Sequence, residues 1–241
     1  MPIQFDFHGR TALVTGVART GQIGHAVARA LAAAGAGVVL ADLNAVEVAA
    51  RATEFRADGL RAVPAAGDLT RADTAAFAVR RAVEEFGGLD LVVNVAGGLT
   101  TWGPIAGLTP EALERELAIN LKTAVLVSQA ALPALAGRGG AIVNFASVAY
   151  YRPQDQLAAY AAAKAAVAGF TQSLAREVRD TGVRVNAVAP AMVRTADNVA
   201  TAGPEARFVE MEDIVHAVLF LASDGARAIT GHVLPVTNGD L

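Results

Sequence analysis

Seven short apolar runs alternate with longer helical patterns along this chain, and that alternation constrains the fold more than any other feature. The runs lie at 11–15, 38–41, 60–65, 89–95, 141–146, 183–188 and 232–236. Helical periodicity fills about 23–34, 44–57, 70–86, 109–135, 157–180 and 212–222. Strands that alternate with helices form βαβ units, and their right-handed crossovers place helices on both faces of a parallel sheet. The expectation is one doubly wound α/β domain over 1–241, with a mostly parallel sheet of about seven strands. Ligands of such a sheet bind outside the carboxyl ends of the strands. The polar and glycine residues of interest cluster there: Gly16 to Gly24, Asp42, Asp68, Asn94 to Gly98, Ser147, and Pro190 to Thr195.

Composition narrows the function classes. Hydrophobic residues make up 54% and charged residues 18% of the 241, which suits a sheet covered on both faces and argues against disorder. The net charge of −3 comes without a block of Lys and Arg, so no nucleic-acid partner is expected. The absence of cysteine excludes disulfides, thiol catalysis and sulfur-ligated zinc. His8, His25, His216 and His232 are scattered, none four residues from another; they read as surface or helix-end residues, and no metal site is expected. The first ten residues lack the basic and apolar regions of a signal peptide. The nearest approach to a membrane span, 157–178, is interrupted by Lys164, Gln172, Arg176 and Glu177. A cytoplasmic enzyme with a small-molecule substrate and no membrane partner is the simple inference.

The first strand ends in ThrGlyValAlaArgThrGlyGlnIleGly (15–24) and a helix follows. Glycines there allow a tight turn and let backbone amides approach a pyrophosphate, which the positive end of the helix favours. Gly16, Arg19, Gly21, Ile23 and Gly24 are therefore candidates for cofactor binding. Asp42 ends the second strand, 18 residues beyond Gly24. A carboxylate there can accept hydrogen bonds from an adenosine ribose and would repel a 2′-phosphate, which favours NAD over NADP. Its other reading is a turn or capping Asp. Arg19 pulls toward NADP, but Leu43 and Asn44 after Asp42 add no positive charge. Asp68 and Leu69 follow the third strand; Asp68 either meets the adenine edge or caps the next helix.

Tyr160 and Lys164 form Tyr-x-x-x-Lys within a helical pattern, so both side chains share one face. An ammonium beside a phenol favours the phenolate and is expected to lower the tyrosine pKa from about 10. Hydride transfer to carbon needs a proton to move on the attached oxygen, and a tuned phenol can move it. The stretch around the pair is almost wholly apolar, so the lysine needs a partner. Ser147, 13 residues earlier, follows the fifth strand, where a hydroxyl can bond the reacting oxygen.

The chain resembles the short-chain dehydrogenase/reductase family, of the compact single-domain, Rossmann-like type, over nearly its whole length. The resemblance rests on 15–24, AsnValAlaGly (94–97), Asn120, Ser147, Tyr160-x-x-x-Lys164, the Pro-x-x-Val-x-Thr turn (190–195) and the ending at 230–236. It implies that Tyr160 is the catalytic acid/base, that Ser147 orients the substrate oxygen, and that Lys164 binds the nicotinamide ribose and tunes Tyr160. It implies that Asn120 holds a water in a proton relay through Lys164. Asn94, Ala96 and Gly97 would line the cofactor cleft, Val193 and Thr195 would meet the nicotinamide amide, and Pro190 is a further cofactor-binding candidate. It also implies a homo-oligomer, tetramer or dimer, with the helices of Asn120 and Tyr160 in one interface.

The chain departs from the family in places. Six residues separate Gly16 from Ile23, a longer loop than usual, and Val95, Ala191 and ThrAsnGly (237–239) replace commoner residues. Candidate pocket residues are Gly98, Trp102, Ser147, Val148, Tyr150, Tyr151, Gln154 and Met192, with 196–211 as a short substrate lid. Their lining suggests a neutral or hydrophobic substrate, whereas Arg152 and Arg194 could meet an acid or phosphate. A 3-oxoacyl thioester, a sugar, a cyclic alcohol and a steroid-like ketone stay open. Two competing readings are an NAD(P)-binding sensor without turnover, against which the complete residue set speaks, and an epimerase or dehydratase, which would need a further domain.

Overall fold

The computed structural model describes residues 5–239. Its strands are β1 (Thr11–Thr15), β2 (Gly37–Asp42), β3 (Ala62–Ala66), β4 (Leu91–Asn94), β5 (Ala141–Phe145), β6 (Arg184–Pro190) and β7 (Val233–Val236). They form one sheet in the order β3-β2-β1-β4-β5-β6-β7, with every pair parallel. The chain winds outward from β1 to β3, then returns to start β4 on the other side of β1. The crevice between the carboxyl ends of β1 and β4 is therefore the switch point where an open α/β sheet takes its ligand.

The helices are α1 (Ile23–Ala33), α2 (Ala45–Ala57), α3 (Ala72–Phe86), α4 (Pro110–Leu117), α5 (Thr123–Leu135), α6 (Ala158–Glu177), α7 (Ala196–Ala202) and α8 (Met211–Ala222). The central strands are buried end to end, which explains their continuous apolar runs. Val27 and Leu31 of α1, Val48 and Phe55 of α2 and Val218 of α8 pack with one face of the sheet. Ala78 of α3, Val127 and Leu135 of α5 and Leu174 of α6 pack with the other. His25, in the first turn of α1, is buried edge-on against Phe55 rather than solvated.

Three expectations change in detail. The pattern over 109–135 is two helices joined by a π turn, Ala118–Lys122. Among the described residues this run, Pro110–Leu135, and not 157–178, is the one long and apolar enough to cross a membrane by length and composition. Its Val127, Ala131 and Leu135 nonetheless pack in the core of the sheet. The lid expected over 196–211 divides. Its first part is α7, whereas Phe208 and Val209 are buried and Val209 bridges Val193. Apolar side chains at 208–209 find a core to enter, whereas Pro204, Glu205 and Arg207 stay exposed.

Candidate active site

The glycine loop is shaped by close contact. Gly16 has φ +74°, and a Cβ on it would lie 2.9 Å from the Ala96 backbone. A Cβ on Gly24 would lie 2.1 Å from the Gly16 carbonyl oxygen. Gly21 also has positive φ (+75°) but faces open space, so it serves the turn and not the packing. The extra residues of the loop bulge at Arg19, Thr20 and Gly21, while Val17 and Ala18 are buried beneath. Ile23 opens α1. Gln22 precedes it without a side-chain cap bond, and no acidic residue lies in the first turn. The α1 amides therefore remain available at the positive end of a helix, beside a surface stripped of Cβ atoms, and a dinucleotide pyrophosphate fits there.

Asp42 stands at this loop. Its Oδ2 accepts from the Ala18 amide at 2.9 Å and its Oδ1 from the Asn44 amide at 3.2 Å. Arg19 pairs with Asp197 of α7 at 2.6 Å, and Gln22 donates to the same carboxylate at 3.2 Å. A cation that reading along from Asp42 missed also reaches the bulge: Arg51 of α2 donates to the Thr20 hydroxyl and pairs with Glu54 at 2.6 Å. Asp68 does not cap α3, whose cap position is Arg71. Its Oδ1 instead closes a turn on the amide and hydroxyl of Thr70, and those bonds hold its pKa below the ordinary carboxylate value. The Leu69 side chain is buried in the core, which leaves its backbone for any adenine contact.

Asn94 ends β4 at the crevice and turns its side chain into the interior. Its Nδ2 donates to Asn144 Oδ1 at 2.8 Å and Ser128 Oγ at 3.0 Å, tying β4, β5 and α5 together. The backbone after it lines the crevice, with the amides of Val95 and Ala96 donating to Thr15 Oγ1. Gly97 has φ +143°, and a Cβ there would lie 2.6 Å from Asn120 Oδ1.

The chemical residues converge beside this crevice. Asn120 lies buried in the π turn. Its side chain accepts from the Gly98 amide at 3.0 Å and donates to the Gly98 carbonyl at 2.9 Å, so it clamps that backbone in both directions. Ser147 follows β5; its Oγ accepts from the Ala149 amide at 3.2 Å, and it shares a hydrogen bond with the Tyr160 hydroxyl. Lys164 is 5% exposed and donates to the Phe145 carbonyl at 2.8 Å. Its Nζ lies 5.7 Å from the centre of the Tyr160 ring. Burial pushes the Lys164 pKa down to about 8, against the opposing pull of Glu116.

The expected lowering of the Tyr160 pKa is reversed. Burial of the hydroxyl raises it, the Ser147 hydrogen bond lowers it by less, and the Glu116 charge adds to the rise. Enclosure, which sequence does not state, outweighs the Ser147 hydrogen bond. Glu116 itself went unnoticed in the sequence. Its four-residue spacing from Asn120 was the available signal, but many solvated helix faces carry such a pair.

Beyond β6, Pro190 ends the strand and the Val193 carbonyl accepts from the Thr195 amide at 2.8 Å and from Asn198 Nδ2 at 2.7 Å. Thr195 caps α7 by accepting from the Asn198 amide. Of the pocket candidates, Trp102 is 62% exposed and donates to Gln156 Oε1 at 3.0 Å, joining two rim loops. Tyr150 and Tyr151 meet edge-on with centroids 4.8 Å apart, Met192 is partly exposed, and Gln154 is exposed. Arg194 pairs with Glu210 at 2.8 Å and lies over the Phe208 ring, so it is turned to the lid's far end. Gln156, with φ +67°, is a rim residue the sequence reading omitted.

A sequence model described as short chain dehydrogenase matches residues 10–205. The chain is 38% identical over 245 residues to the cis-4-hydroxycyclohexanecarboxylate dehydrogenase of Sinomonas cyclohexanicum, covering 97% of each. It is 37% identical over 250 residues to the 4-formylbenzenesulfonate dehydrogenase of Comamonas testosteroni, covering 97% of this chain and 98% of that one. The crystal structure of a dehydrogenase/reductase from Sinorhizobium meliloti superposes with a TM-score of 0.89 at 33% identity, covering 98% of this chain and 96% of that one.

Proposed function

The chain belongs to the short-chain dehydrogenase/reductase family, and on that premise we propose that it moves a hydride between NAD(H) and a secondary alcohol or ketone, with Tyr160 as acid/base. The observation that carries this reading is the enclosed Ser147–Tyr160–Lys164 cluster, at the same end of the sheet as the uncapped start of α1. Gly16, Gly24 and the first α1 amides would hold the pyrophosphate, and Asp42 the adenosine ribose. Lys164 would meet the second ribose, and the turn from Val193 to Thr195 the nicotinamide amide. When bound, the nicotinamide supplies or accepts the hydride.

Tyr160 then handles the proton. In reduction its hydroxyl donates to the carbonyl oxygen as that oxygen gains charge, and Ser147 donates a hydrogen bond to the same atom. In oxidation the phenolate takes the alcohol proton. Because burial raises the Tyr160 pKa, the phenol form prevails at neutral pH, ready to donate. Alcohol oxidation accordingly gains rate as pH rises. Asp42 supports NAD over NADP by facing the place where a 2′-phosphate would sit, while Arg19 and Arg51 are engaged by Asp197 and Glu54.

Trp102, Tyr150, Tyr151 and Met192, taken as the lining of the mouth, would suit a substrate with a hydrophobic body. The similar proteins named for ring-bearing acids make a cyclic alcohol the first candidate. The test is a panel of cyclic alcohols including cis-4-hydroxycyclohexanecarboxylate, with sugar alcohols and 3-oxoacyl thioesters, each assayed with both nucleotides. Tyr160→Phe should reduce turnover by roughly 10²–10⁴-fold while NADH fluorescence still reports binding. Full activity in that variant would remove Tyr160 from the mechanism, and a wild-type preference for NADPH would remove the Asp42 argument.

A further inference from the structure

Glu116 is a buried acid that the mechanism above leaves without a task. It is 0% exposed, on α4, one turn before Asn120. Burying a carboxylate costs several kcal/mol unless hydrogen bonds repay it. Here both oxygens accept: Oε1 from Asn120 Nδ2 at 3.0 Å, and Oε2 from the Thr100 amide at 3.1 Å and from the Thr100 hydroxyl. Acceptance at both oxygens is the pattern of an ionised carboxylate.

Those partners close a ring. Thr100 belongs to the loop that carries Gly98 and Trp102, and Asn120 grips Gly98 at both its amide and its carbonyl. The substrate-side loop is thereby fastened to the π turn at two points, both through Glu116 or its bonded neighbour. On its other side α4 packs against α6, which bears Tyr160 and Lys164.

We propose that Glu116 is a positioning residue of the catalytic centre, fixing the loop 98–102 to the turn of Asn120 and presenting a negative charge to the Tyr160–Lys164 pair. Other charged groups lie on the elements packed against α6: Glu111, Glu114 and Arg115 on α4, Lys122 in the π turn, Arg184 on β6, and Arg179 and Asp180 beyond the end of α6. Tyr150 lies on the short turn 148–150, which also packs against α6. Glu116 is the one whose field reaches both Tyr160 and Lys164, holding protons on each. Removing its charge must therefore lower the pH at which both groups titrate.

The test does not depend on turnover, although the kinetic arm rests on the dehydrogenase reading. Tyrosinate ultraviolet absorbance, read as the difference between the chain and its Tyr160→Phe variant, isolates the titration of Tyr160. The same difference measured in a Glu116→Gln background should move to lower pH, and an unmoved midpoint would overturn the electrostatic half of the proposal. Thr100→Val keeps the charge and removes one tether. It should raise KM for the panel's best alcohol by about fivefold, with the Tyr160 titration unmoved; an unchanged KM would overturn the positioning half. If Glu116→Gln fails to fold, the Thr100→Val kinetics decide the positioning half, and the same difference titration in Glu116→Leu, which also lacks the charge, decides the electrostatic half. A shifted titration in a protein that oxidises no alcohol of the panel would sink the proposed reaction and leave the role of Glu116 standing.

Discussion

Lys164 holds its charge where charge is expensive, and stability should record that. Its pKa is near 8 in the folded chain, from an ordinary value of 10.5. Between those values the unfolded chain keeps a proton that the folded chain has released, so stability rises with pH across the window. The wild type should gain on the order of 3 kcal/mol relative to Lys164→Met between pH 8 and 10.5. Chemical denaturation at stepped pH measures this, and a constant difference would show that Lys164 is not titrating there. The glycine loop offers a second contrast at this scale. Gly24→Ala drives a methyl into the Gly16 carbonyl and should weaken NADH binding more than tenfold, whereas Gly21→Ala meets only open space. Fluorescence titration of both variants separates packing from turn geometry. Ser147, Tyr160 and Lys164 were legible from the chain because each is fixed by one helix or one strand end. The direction of the Tyr160 shift and the part of Glu116 were not, because both depend on enclosure by segments distant in sequence.

Helices and strands were legible wherever their own periodicity sufficed. β1 matches its apolar run residue for residue, and the start of α1 follows the glycine loop as its composition requires. The π turn at 118–122 broke no pattern, since inserting one residue per turn leaves an apolar helix apolar. α7 escaped notice because its seven residues are mainly small and polar, and its cap depends on Thr195 and Asn198. What α7 adds is a link across the cofactor end, through Asp197 to Arg19 and Gln22. The pair is exposed, so it contributes at most ~1 kcal/mol. Its consequence is directional: Asp197 occupies the cation that could otherwise attract a 2′-phosphate. Asp197→Ala should tighten NADPH binding by up to about fivefold, with NADH binding nearly unchanged and thermal stability hardly moved. Equal effects on both nucleotides would mean that α7 acts by covering the cleft and not through Arg19.

The whole molecule covers both faces of its sheet and yet leaves apolar surface outside. The outer side of α6 presents Ala158, Ala162, Ala165 and Gly169 at helical spacing, all exposed and uncharged. In the neighbouring α4–α5 run, only a third of the most apolar window is buried. Small side chains lose little entropy on association and let helix backbones approach closely, so a second copy can cover this side at low cost. The family resemblance implied an oligomer through the helices of Asn120 and Tyr160, and these are the same helices. Gly169 discriminates, because a Cβ there meets nothing within 4 Å in the single chain. Gly169→Arg should therefore fold with an unchanged circular dichroism spectrum while its sedimentation mass falls to that of a smaller species. A wild type that sediments as one chain, or a variant that keeps the full assembly mass, would show that the outer face of α6 meets only solvent, and the apolar row along it would need another partner.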